Sequence, residues 1–195
     1  MTERGTERGP RVRMIPPGDD RVRLVCPECR YVAYQNPLIV VGSVPVWQER
    51  ILFCRRAIEP CLGLWTLPAG FMEEHETTAE GAVREAREEA GASIEVDALL
   101  GLYQLPRISQ VHFFYRARLL SPEIAAGEES LEVALFDWAE IPWDELAFPT
   151  VRWVLADYEA RRGQSDFAPA GNPPGHPPGS EAVWSPAPPP TLSPT

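Results

Sequence analysis

Several things are missing from this sequence, and each absence narrows what the chain can do. No run reaches the roughly 18 uninterrupted apolar residues of a membrane-spanning helix, so no membrane partner is expected. The opening "MTERGTERGP" lacks the apolar stretch of a secretory signal, which makes a cytoplasmic location the default expectation. Positive charge is short as well: the net charge is −10. Nucleic-acid binding wants a basic field, so no nucleic-acid partner is expected. A phosphate substrate stays within reach if a divalent cation sits between it and the protein. The four cysteines, Cys26, Cys29, Cys54 and Cys61, are too few and too clustered for a secreted disulfide framework. No internal repeat is present.

What remains is enough for one domain with a core, since 44% of the 195 residues are hydrophobic. Residues 1–20 are charged, rich in Gly, Pro and Arg, and without periodicity, and are expected to form a flexible arm. Residues 164–195, dominated from 168 onward by Pro, Gly and Ala, are expected to be a disordered tail. Between them, "LIVVGSVPVW" (38–47) and "ILFCRR" (51–56) are β-rich and separated by a polar turn, as in a hairpin. "LWTLPAG" predicts a short strand ending in a loop. Segments 93–105, 110–120 and 131–141 predict three further strands, and "PTVRWVLADYEARRG" (149–163) a closing helix. Paired strands with helices between them place the chain in the α/β or α+β class with a mixed sheet.

The stretch "GFMEEHETTAEGAVREAREEAGA" (70–92) holds seven glutamates and two arginines. Thr77 and Thr78 open a helix that closes on Gly91. At 100° per residue, Glu88 and Glu89 lie about −60° and +40° from Glu85, so the three carboxylates share one arc. Ala79, Ala82, Val83, Ala86 and Ala90 form an apolar stripe beside it, while Arg84 points elsewhere. A surface helix built for stability would pair Glu with Arg or Lys at i,i+4; Glu85 and Glu89 instead repel at that spacing. Three close carboxylates suit Mg²⁺ or Mn²⁺, hard ions that take oxygen ligands and keep exchangeable waters.

Gly70, Glu76, Arg84, Glu85, Glu88, Glu89 and Gly91, with Ala86 and Ala92 at the two apolar positions, resemble the Nudix box, GX5EX7REUXEEXGU. The resemblance implies a Nudix hydrolase with an α/β/α sandwich, cleaving a nucleoside diphosphate linked to another group with a divalent metal. It further implies that Glu85, Glu88 and Glu89 are metal ligands, that the Gly70 region adds a backbone carbonyl, and that Glu76 and Arg84 brace the loop against the helix. The general base is expected to be Glu85 or a glutamate of "AAGEESLEVALF" (125–136), where Glu129 and Glu132 are the candidates.

Upstream, Cys26 and Cys29 form a C-x-x-C pair, half of a zinc-ribbon ligand set. Residues 23–44 resemble the ribbon knuckle and "Y-x-NP-x-x-VVG" lead-in of one Nudix subgroup, including NADH pyrophosphatases and the FAD/ADP-ribose pyrophosphatase-like group, whose members often carry four cysteines there; residues 21–37 are thus expected to be a degenerate zinc-ribbon-like lead-in to a Nudix domain at 38–163. A zinc ion is therefore open, and two such pairs brought together in a homodimer would complete a set of four. The signature of NADH pyrophosphatases beyond the box is not found in 93–163. ADP-ribose or FAD is thus the leading substrate expectation, releasing AMP. The alternatives are NADH, a nucleotide sugar, an oxidised nucleoside triphosphate, or a Nudix domain that binds its ligand without turnover. Tyr34, Trp65 and Tyr103 are candidates for stacking on a base, and Arg55, Arg56 and Arg107 for meeting phosphates.

Overall fold

The computed structural model describes residues 8–175, which divide into an N-terminal unit ending at Pro37 and a larger unit from Leu38 onward. The N-terminal unit is a three-stranded antiparallel sheet: β1 (Val12–Met14), β2 (Arg23–Val25) and β3 (Val32–Ala33), in that order. The expected arm of residues 1–20 is corrected here. Residues 12–14 are a strand, because backbone pairing of Val12 with Val25 satisfies donors that the composition left unassigned. Residues 1–7 of that arm lie outside the described residues.

The larger unit is built on a seven-stranded mixed sheet. Its long strands are β4 (Leu38–Trp47), β5 (Arg50–Arg56), β8 (Ile94–Leu105), β9 (Gln110–Leu119) and β10 (Ser130–Phe136), ordered β10-β5-β4-β9-β8. Two short strands attach to this path: β6 (Trp65–Thr66) pairs with β5, and β7 (Ala69–Phe71) pairs with β4. β4 and β9 run parallel over Leu38–Val46, while the other long-strand neighbours are antiparallel. The expected β4–β5 hairpin is real but short. Only Val46–Ile51 and Trp47–Arg50 pair, around Gln48 and Glu49 at positive φ, before the strands diverge to other partners.

Helix α1 (Thr78–Ala90) and helix α2 (Pro149–Ala160) cover opposite faces of the sheet. The period-2 alternation of β5 feeds both. Leu52 and Cys54 pack with Ala86 and Ala90 of α1, whereas Ile51 and Phe53 pack in the cluster holding Val151, Val154 and Leu155 of α2. The α1 interface is lined by alanines, so the helix lies close on the sheet. Val83, expected in that stripe, is exposed.

α1 is terminated as its sequence predicts. Thr77 Oγ1 accepts from the Glu80 N–H and the Glu80 carboxylate accepts from the Thr77 N–H, a reciprocal capping box. Gly91 closes the other end at φ 58°. At the C-terminal side of the domain, the expected tail does not begin at 164. The Ala170 N–H donates to Leu100 O and its carbonyl accepts from Leu102, both at 2.9 Å, and Asn172 exchanges two bonds with the Gln104 backbone. The free edge of β8 supplies these partners, and Phe167 packs against the core beneath Arg116. Residues 176–195 of the expected tail lie outside the described residues.

Candidate active site

α1 and β7 bring the box residues together around Arg84. All five N–H donors of its guanidinium are engaged. Nε and Nη2 donate to the two oxygens of Glu76 at 2.9 and 2.7 Å, and Nη2 also donates to Phe71 O at 3.0 Å. Nη1 donates to Glu85 Oε1 at 2.7 Å and Glu88 Oε2 at 2.9 Å. The expectation that Arg84 points away from the acidic arc is therefore corrected: its long side chain folds back over the helix start to reach Glu76. Glu76 in turn accepts from the Glu73 N–H at 2.8 Å, and the Arg84 guanidinium holds its carboxyl at about 2. This fork ties the loop 71–77 to the helix.

The three carboxylates of the arc have different surroundings. Glu85 and Glu89 are buried, at 8% and 7% exposure, while the Glu88 side chain is half exposed. Glu89 Oε2 accepts from the Ala69 N–H at 3.1 Å. Burial pushes the Glu89 carboxyl up to about 8, with Glu85 and Glu129 adding repulsion, and burial raises Glu85 too. Among the described residues no three His, Cys, Asp or Glu side chains already converge as a metal cage. The reason is visible: Arg84 holds Glu85 and Glu88, and the β7 backbone holds Glu89.

Gly70 explains how these groups fit. A Cβ there would run into the Glu85 carboxyl group, meeting Oε2 at 2.5 Å. The position demands glycine for close approach, not for unusual backbone torsions. Loop 121–129 follows the same logic at the far end of α1. Ala125 and Gly127 donate to the carbonyls of Ala90 and Glu89 at 2.8 and 3.0 Å, and a Cβ on Gly127 would collide with Glu88 O. That docking brings Glu128 and Glu129 beside the box glutamates.

The result is a cleft of about 970 Å³ with an acidic wall and an apolar one. Gly70, Glu85, Glu88, Glu89, Glu128 and Glu129 line the first; Leu105, Phe114, Phe148 and Trp153 belong to the second. Arg56 and Arg107 stand on its lining as the cationic groups beside Arg84.

A family model described as a NUDIX domain matches residues 37–155. The chain belongs to the Nudix hydrolase family. A crystal structure of a NUDIX hydrolase from Nitrosomonas europaea is 44% identical, superposes with a TM-score of 0.78, and covers 88% of this chain and 97% of its own. An ADP-ribose pyrophosphatase of Methanocaldococcus jannaschii is 32% identical over 133 residues, which span 66% of this chain and 77% of that enzyme. A human 8-oxo-dGDP phosphatase is 36% identical over 99 residues, but these are 30% of its length. A second model, the zinc-ribbon family described as Nudix N-terminal, matches residues 9–35.

Within the Nudix domain, several candidates are placed away from the cleft. Glu132 sits on β10 opposite Arg55, with which it pairs at 3.5 Å, and neither lines the cleft. Strand alternation turns them to the same face of the sheet, and Arg55 is committed to Gly63 O at 2.8 Å. Tyr103 is corrected from ligand to core. It is fully buried, and its hydroxyl donates to Asp157 of α2 at 2.7 Å. Trp65 is also a core residue, packed edge-on to Phe136. Tyr34 belongs to the N-terminal unit, exposed, with the Arg23 guanidinium over its ring. Cys26 and Cys29 lie in the turn between β2 and β3 of that unit, Cys26 buried and Cys29 exposed.

Residues that local patterns did not single out complete the cleft: Phe148, Thr150 and Trp153 at the start of α2, and Gln110 and His112 on β9. Burial lowers the His112 imidazole to about 4, so it is neutral, and its Nε2–H donates to Gln110 Oε1 at 2.8 Å.

Proposed function

We propose that this Nudix domain hydrolyses the pyrophosphate link of a nucleoside diphosphate joined to another group, with ADP-ribose first and FAD second among the substrates, releasing AMP. The observation that carries the proposal is the two-sided cleft. Its acidic wall suits a diphosphate only through cations, and its apolar wall offers Phe114, Phe148 and Trp153 to a base or sugar. The likeness to the M. jannaschii enzyme supports the choice of ADP-ribose.

The donor set fits a hard divalent ion such as Mg²⁺ or Mn²⁺. Three carboxylates are crowded at one helix face, two of them with pKa values raised by burial, and Gly70 leaves the Glu85 carboxylate room against β7. Glu85, Glu88 and Glu89, with the Gly70 carbonyl, would hold it. Bound there, the metal would neutralise the diphosphate and acidify a water. The protein's own part is positional. Glu76 and Arg84 fix the loop and orient Glu85, and Arg56 and Arg107 offer charge to the phosphates. Glu129, on the cleft lining, would accept the proton of the attacking water, with Glu85 the alternative base.

The test is a nucleotide panel with Mg²⁺ or Mn²⁺, reading AMP release, with Glu88→Gln and Glu89→Gln as controls. ADP-ribose turnover that collapses in both variants supports the proposal. Tight ADP-ribose binding without turnover by the parent would overturn it in favour of a ligand-binding role.

A further inference from the structure

A structural zinc needs four ligands, ordinarily two from each of two facing loops. The match of residues 9–35 to the zinc-ribbon family implies such an ion, and the N-terminal unit allows the residues to be tested against it. One ligand turn is intact. Arg30 N–H donates to Cys26 O and Cys26 N–H to Tyr31 O, both at 2.8 Å, with Arg30 at φ 62°. The chain facing that turn is the approach to β1, set in register by Arg11 N–H on Val25 O at 3.2 Å and by the Val12–Val25 pair. It carries Arg8, Gly9, Pro10 and Arg11, which offer no thiolate, imidazole or carboxylate. Among the described residues this unit offers a ribbon zinc two cysteines, Cys26 and Cys29, where four ligands are needed, and these residues do not fit such an ion.

Something else occupies that position. The Arg11 guanidinium forks onto Glu28, inside the C-x-x-C turn: Nη1 donates to Oε2 at 3.0 Å and Nη2 to Oε1. Nη1 also reaches Gly9 O at 3.3 Å, gathering its own loop. The buried Cys26 thiol donates to the same Oε2 at 3.0 Å. Arg suits this task because its planar fork meets both carboxylate oxygens at once, which Lys cannot do.

We propose that the N-terminal ribbon of this Nudix protein is metal-free, and that the Arg11–Glu28 ion pair, with the Cys26 thiol on the same carboxylate, joins its two loops where a ribbon would carry zinc. The inference is independent of the hydrolase's substrate. The pair is exposed and cannot match a zinc site in strength; it sets the register of the two loops.

The test uses the full chain, expressed in zinc-supplemented medium and purified without a metal-affinity tag. Elemental analysis should find zinc well below one ion per two chains, and a chelator should leave amide exchange in residues 11–33 unchanged. Arg11→Ala and Glu28→Ala should each speed exchange there by roughly two- to fivefold, the scale of one exposed ion pair. The double variant should add little to either, and Arg11→Lys should fall between parent and Arg11→Ala. Exchange in residues 38–160 serves as the internal control for folding. One zinc per chain, one zinc shared by two chains, loss of protection on chelation, or variants that exchange like the parent would each overturn the proposal.

Discussion

Gly70→Ala separates the geometry of the site from the stability of the domain. The new methyl would be placed on the Glu85 carboxyl group, so Glu85 must move. What yields is the end of a flexible side chain, and Gly70 lies on β7 at torsions an alanine tolerates. The structural cost is then mainly the charged hydrogen bond from Arg84 Nη1 to Glu85 Oε1. That bond is worth about 1.5–3 kcal/mol. Alanine recovers about 0.5–1 kcal/mol by restricting the unfolded chain. The net loss is about 0.5–2.5 kcal/mol, or roughly 1–10 °C in Tm for a domain of this size. Activity should fall much further, on the order of 10²-fold in kcat/KM, because a displacement of about 1 Å in a positioning group has that effect. Gly127→Ala is the counterpart. Its methyl would strike the backbone oxygen of Glu88, which has no flexible escape. Stability should fall by about 3 kcal/mol or more, the upper end of overpacking with added backbone strain. Thermal melts without metal and steady-state kinetics with Mg²⁺ would be compared for both. Gly70→Ala with activity within about threefold of the parent, far short of the loss a displaced positioning group causes, would refute the reasoning about Glu85.

Glu129→Gln should lose at least about 10²-fold in turnover, as expected for a general base, while Glu132→Gln, paired with Arg55 outside the cleft, should keep it. Equal losses in the two would remove the assignment. The Glu89 carboxyl, pushed up to about 8 from an unfolded value near 4.5, contributes stability that is full below about 4.5 and lost as pH rises through 8. Metal-free protein should therefore melt lower at pH 8.5 than at pH 5, and Glu89→Gln should flatten that slope. Since a metal ligand must give up its proton, the Tm gain from Mg²⁺ should be larger at pH 8.5 than at pH 6, and an equal gain at both would contradict Glu89 as a ligand. Tyr103→Phe should cost roughly 1–2 kcal/mol by removing the hydroxyl's bond to Asp157, which keeps Arg161 as a partner, with KM unchanged; a raised KM would restore Tyr103 to the substrate site.

Much of the box is legible in the sequence alone. The spacing of Glu85, Glu88 and Glu89 follows from 3.6 residues per turn, and the capping residues Thr77, Glu80 and Gly91 act on neighbours within about a turn. The short-range strand pattern, the closing helix from Pro149 and the mixed-sheet class are legible for the same reason. The side-chain reach of Arg84 is not. A helical wheel records where a Cα points, and a guanidinium several bonds further out answers to whatever carboxylate lies within its arc.

Long-range register decides the rest. Glu129 and Glu132 read alike in the sequence, but the docking of Gly127 on α1 carries one to the cleft, and the pairing of β10 with β5 turns the other to Arg55. Tyr103 and Trp65 look like stacking residues until the two faces of the sheet are assigned, which only the packing of α2 does. Phe148 and Trp153 reach the apolar wall from a helix far beyond the box in the chain. The amino-acid sequence by itself determined the chemistry available: three carboxylates on one helix face, a glycine-bearing loop preceding them, and only half of a zinc ligand set. Tertiary structure decided which groups share a cleft, and it put Arg11 against Glu28 in the N-terminal unit. The physical reason is one of range. Backbone periodicity and caps are set by residues a turn apart, whereas a site is assembled by strand register and side-chain packing between segments far apart in the chain.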